Sequence, residues 1–162
     1  MDDSADRPGT RLATRLSFFA AGFAMAAWAP LVPFAKANAG VDDAGLGLML
    51  LCLGLGSLVA MPVTGVLAAR IGSRTPILCG GFGLVAVLPL LVLVEAPLGL
   101  AGALMLFGAA LGSLDVALNI HAVEVERAAP RPLMSGFYAM FSLGALVGAG
   151  GVAAPLTPGL GP

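Results

Sequence analysis

The sequence predicts an all-α membrane protein with five transmembrane helices, and three observations carry that expectation. Hydrophobic residues make up 59% of the 162-residue chain and charged residues only 10%, where soluble proteins average roughly a quarter charged. Mean hydropathy is +0.99. The charges gather between near-uncharged stretches of about 20 residues, the length an α-helix needs to cross a bilayer. Lipid is therefore the expected solvent for most of the chain. The net charge of −1 supplies no basic field for nucleic acid. Cys52 and Cys79 lie in apolar runs without CxxC or metal-ligand spacing and read as packing residues. The "GLG" pieces at Gly45 and Gly54 lack the third glycine and the strand–turn–helix setting of a dinucleotide site. No phosphate loop, nucleophile pairing or metal cluster is visible in the sequence, so neither enzymatic activity nor a cofactor is expected.

Residues 1–15 read as a short cytoplasmic tail, and the first span covers 16–34. Its end, "WAPLVPFAK", contains Pro30 and Pro33, which remove backbone donors and are tolerated where protein or a cavity re-satisfies the freed carbonyls. Trp28 in that stretch has two readings, stacking on a ligand such as a sugar ring or packing at the interface. Lys36 is expected to snorkel to the surface near Asp42 or Asp43. The second span covers 46–69, the third 76–94, and the fourth 98–120, which continues as a polar helix toward Arg127. The fifth covers 133–154, and residues 155–162 read as a short tail left by truncation. "GVDDAG", "GSRTP", "EAPLG" and "AAPRP" supply turn chemistry between the spans.

Lysine and arginine set the orientation. Arg7, Arg11 and Arg15 precede span one, Arg70 and Arg74 separate spans two and three, and Arg127 and Arg131 separate spans four and five. Only Lys36 falls on the other side. The bias predicts a cytoplasmic N-terminus in a plasma membrane. A rival reading makes residues 1–39 a cleaved signal peptide, with "ANA" at the cleavage site. The apolar run is long for that role and holds two prolines.

Span four places one charge where lipid should exclude it. Gly108, Gly112, Asp115, Asn119 and Glu126 follow spacings of 4, 3, 4 and 7 and share one helical face. Placing an ionisable side chain at the middle of a membrane helix costs at least about 2.5 kcal/mol and is tolerated when it faces the bundle interior or a watery cavity. Asp115 is therefore a candidate for proton coupling or for hydrogen bonding to a solute, with Asn119 orienting it or contacting the same ligand. The alternative is a structural bond that holds neighbouring helices together. Span five aligns Ser135, Tyr138, Ser142, Ala145 and Ala149, and its Gly144 and Gly148 form a GxxxG packing device. Ser142 is a candidate pathway residue, with bonding to its own backbone as the alternative. His121, the only histidine, is expected at the interface beside Glu124 and Glu126.

Two stretches carry a resemblance. "GVLAARIGSR", Gly65 to Arg74, looks like the signature loop between the second and third helices of the major facilitator superfamily. Gly65, Leu67, Arg70, Gly72 and Arg74 fall on or near that pattern, while Ala69 stands where the family usually has an aspartate. "GAALGSLDVALN" resembles the fourth helix of the fucose–proton symporter branch, and "VERAAPRPLMSGFYAMFSLGALVGA" the start of its fifth. The resemblance implies part of the N-terminal half of a twelve-helix fold built from inverted three-helix repeats. It also implies a secondary transporter of a small solute, a proton-coupled symporter of a sugar or similar polar compound. Gly65, Arg70, Gly72 and Arg74 would form its conformational loop, and Asp115, Asn119, Trp28 and Ser142 its candidate substrate or proton site. The partners so implied are the bilayer, a small molecule and protons; a longer parent protein, a broken reading frame and a second chain that supplies the helices are the alternative readings of the missing part. An efflux transporter and a small membrane protein that binds a partner chain are the competing readings. "GALVGAGG" weighs against efflux, since Ala149 stands where the drug-antiporter motif has proline.

Overall fold

The computed structural model describes residues 8–156; the expected tail positions 1–7 and 157–162 lie outside the described residues. Every element among the described residues is helical, and five helical stretches are long and apolar enough to cross a membrane. The chain is an integral membrane protein of all-α architecture.

The first span runs from Pro8 to Ala39 and is broken. Helix α1 (Pro8–Ala27) gives way to a 3-10 turn at Ala29–Leu31 and then to α2 (Val32–Ala39). Pro30 and Pro33 bring no N–H to the ladder, which is the physical reason for a break here. Gly40, at φ +63°, closes α2: its N–H donates to the Ala37 carbonyl at 3.2 Å, and that of Val41 to the Lys36 carbonyl at 3.3 Å. This double closure satisfies the carbonyls left open at a helix end. Lys36 pairs with Asp43, and Asp42 caps α3 (Asp43–Ile71) by accepting from the Gly45 N–H at 2.8 Å.

The third span is α4 (Arg74–Val87) followed, after Pro89, by the single turn α5 (Leu90–Leu93). Asn38 of α2 donates to the Val92 carbonyl at 2.9 Å and ties the two interrupted spans together. Helix α6 (Pro97–Ala128) carries the fourth span and its polar extension without interruption, and α7 (Met134–Leu156) forms the fifth.

Two tight pairs organise the bundle, α1 with α7 and α3 with α6. Lipid tails are as apolar as leucine, so association relies on close packing, which small residues allow. Gly144 and Gly148 of α7 lie against the backbone of Phe19 and Phe23 in α1, and Gly22 answers against Phe141. Gly108 and Gly112 of α6 meet Leu53 and Ser57 in α3, and Gly56 answers against Met105. Helix α6 is central: it also packs on α4 and α1, and its Leu100, Leu104, Phe107, Leu118 and Val125 are fully buried. Leu51, Leu58, Phe82 and Leu146 point out of the bundle, as an apolar solvent permits.

Candidate functional site

Asp115 lies on α6 and lines a cleft of about 320 Å³ between α1, α3, α6 and α7. That volume suits a small molecule. The cleft walls are largely apolar, with Phe18 and Met25 from α1, Met61 from α3 and Phe141 from α7; Ser57, Asp115 and Tyr138 supply the polar groups. Asp115 is the only charged side chain between residues 96 and 123, and the cleft lining contains no lysine or arginine.

A hydrogen-bond chain crosses from α7 to the carboxylate. The Tyr138 hydroxyl donates to Asn119 Oδ1 at 2.6 Å. Asn119 Nδ2 donates to the Asp115 backbone carbonyl at 2.9 Å and to Asp115 Oδ1 at 3.2 Å. Only the amide NH2 can face two acceptors, so this geometry fixes which way Asn119 points. Tyr138 is held from its other side by an edge-on contact with Phe18 at 5.7 Å between ring centres. Across the cleft, Ser57 Oγ donates to the Gly108 carbonyl at 2.7 Å, and Thr64 donates to Ser113 at 2.9 Å lower on the same helix pair.

The remaining expected residues occupy other places. Trp28 is buried, 6.5 Å between ring centres from Phe107, and is not part of the cleft lining. Ser142 is exposed on α7 and also outside the lining, since the cleft meets that helix at Tyr138 and Phe141. In the loop motif, Gly65 lies within α3, and Arg70 and Arg74 are exposed at the helix ends. Gly72, at φ +86°, makes the turn between α3 and α4, a backbone conformation that favours glycine. Ser73 beside it is buried, with its hydroxyl 3.4 Å from His121 Nδ1 and 3.5 Å from Glu124 Oε2 on α6.

Two contacts escaped the sequence reading. Tyr138 was placed on the right helix but not assigned to the carboxylate. Glu126 accepts from the backbone N–H groups of both Leu133 and Met134 at 2.6 Å, and so caps α7 from α6. A carboxylate there meets the positive end of the α7 dipole. The separation of seven and eight residues across "AAPRP" is the only trace of that cap in the sequence.

Fold and cleft together define a polytopic helical membrane protein with a solute-sized cleft at the level of its spans. The Major Facilitator Superfamily profile matches residues 15–159, and the chain belongs to that family. It is 58% identical over 160 residues to an uncharacterized MFS-type transporter of Yersinia pestis, covering 98% of this chain and 42% of that protein. It is 42% identical over 135 residues to an uncharacterized transporter of Sinorhizobium fredii, covering 83% of this chain and 36% of the relative. The membrane protein MosC of Rhizobium meliloti is 31% identical over 144 residues, covering 87% and 35% respectively. The chain thus spans less than half the length of each of these relatives. No solved structure matches it.

Proposed function

We propose that this chain supplies the N-terminal part of the solute pathway of a proton-coupled secondary transporter, with Asp115 as its proton site. One observation carries the reading: the lone charge of the fourth span lines a solute-sized cleft, where Asn119 and Tyr138 hold it in place. The family and the transporter-named relatives support membrane transport as the setting. The proton as coupling ion rests on the carboxylate and on the resemblance to the fucose–proton symporter branch. Asn119 acts by orienting Asp115, because both of its amide hydrogens are engaged within α6. Gly72 lets the loop between α3 and α4 turn sharply, with Arg70 and Arg74 on the cytoplasmic side of a plasma membrane, the side to which the positive-inside bias assigns the N-terminus.

The test is a chimera in which this chain replaces the matched region of the Yersinia pestis relative. In inverted vesicles carrying a proton gradient, solutes are screened for those that change the gradient. The expected result is a responsive solute whose effect disappears in Asp115→Asn while the protein still inserts and folds. A response retained in Asp115→Asn, with unchanged pH dependence, would make Asp115 a structural residue and refute the reading.

A further inference from the structure

The hydrogen-bond inventory of the cleft narrows what it can hold, given the transporter reading above. Each polar side chain that lines it has its donor engaged. Tyr138 gives its hydroxyl hydrogen to Asn119, and Ser57 gives its own to Gly108. Asn119, behind Asp115, spends both amide hydrogens on that residue. The backbone N–H groups here sit within helices and are satisfied internally. What remains is acceptor capacity: the second carboxylate oxygen of Asp115 and the hydroxyl lone pairs of Tyr138 and Ser57. The rings of Phe18, Tyr138 and Phe141 line the same space, and no cationic side chain does.

From this we infer that the cleft takes an amphipathic ammonium: a solute with an apolar or aromatic body and a protonated amine. The amine supplies the donors that the cleft lacks and the positive charge that Asp115 has no local partner for. A desolvated cation beside aromatic faces gains further attraction from the ring quadrupoles. The sugar implied by the family resemblance fits less well. Each ring hydroxyl both donates and accepts, and this face offers acceptors on only three residues set in apolar walls. Because a single carboxylate balances a single positive charge, ammonium and proton exclude one another at Asp115. Coupling at this site then takes the form of exchange.

Hydrophobic carbodiimide labelling of the chain in lipid nanodiscs tests the inference, because the reagent attaches to protonated carboxyl groups within membranes. The modified Asp115 peptide is followed by mass spectrometry, with Asp115→Asn as the control for assignment. We expect labelling of Asp115 that 2-phenylethylammonium slows by about tenfold, with weaker protection as the pH is lowered. The uncharged analogue 2-phenylethanol and L-fucose should leave the rate unchanged. Equal protection by 2-phenylethanol, or protection by L-fucose alone, would overturn the ammonium inference and leave the proton-site reading standing. Absence of labelling at Asp115 would remove the proton-site reading, and the inference with it.

Discussion

Gly108→Ala is the substitution for which the structure gives the sharpest expectation. A methyl group built on Gly108 stands 2.7 Å from the Leu53 carbonyl carbon and 3.0 Å from its Cα, where ordinary contact begins at 3.4 Å. These are backbone atoms of a facing helix, so no rotamer change relieves the clash. The Leu53 carbonyl oxygen stands closer still, so helices α3 and α6 must part by more than the roughly 0.7 Å the carbonyl carbon alone requires, and a gap of about 0.5–1 Å already forfeits about a quarter to a half of each dispersion contact along the seam. Overpacking of this kind costs about 1–3 kcal/mol. The Ser57–Gly108 bond lies at the same point, and bonds between membrane helices average about 0.6 kcal/mol. Alanine returns about 1 kcal/mol through its better helix propensity. The net expectation is a loss of about 0.5–2.5 kcal/mol. Gly102 is the internal control, because a methyl built there on the same helix meets nothing within 4 Å. Gly102→Ala should leave stability unchanged or raise it by up to about 1 kcal/mol. Unfolding in mixed micelles, followed by fluorescence of the single Trp28 buried beside Phe107, measures both variants. Equal stability of the two would refute the close approach of α3 and α6.

Other expectations concern the helix ends. Glu126→Ala removes the acceptor for two α7 N–H groups and should destabilise the protein by about 0.5–2 kcal/mol, with Glu126→Gln recovering part of the loss in the same unfolding assay. Gly72→Ala forces a side chain into positive φ at the α3–α4 turn and should cost about 1–3 kcal/mol. Wild-type stability of Gly72→Ala would mean that the turn takes another conformation.

The spans were legible because lipid imposes a simple rule: about 20 apolar residues in a row, with charges expelled to the ends. The break near Pro30 and Pro33 was legible for the same kind of reason, a missing donor. Two features of these helices were not read. The first helix begins at Pro8, inside what reads as a tail, and the interruption at Pro89 is a kink within an otherwise continuous apolar run. The Asp115–Asn119 pairing followed directly from its spacing of four, which sets the two side chains one turn apart on one helix. Cross-helix partners could not follow, since they depend on how each helix is rotated against its neighbour. That rotation brings Tyr138 and Phe141 to the cleft and leaves Ser142 outside its lining, although all three lie within two turns of α7. It also turns Trp28 into the core against Phe107.

A solute pathway through this cleft requires Asp115 to face water and not lipid. The direct measurement is modification of single cysteines by a charged, membrane-impermeant thiol reagent, after Cys52 and Cys79 are both replaced by alanine. Asp115→Cys should react, and Phe82→Cys, on the outward face of α4, should not. An unreactive cysteine at 115, matching the one at 82, would contradict the account.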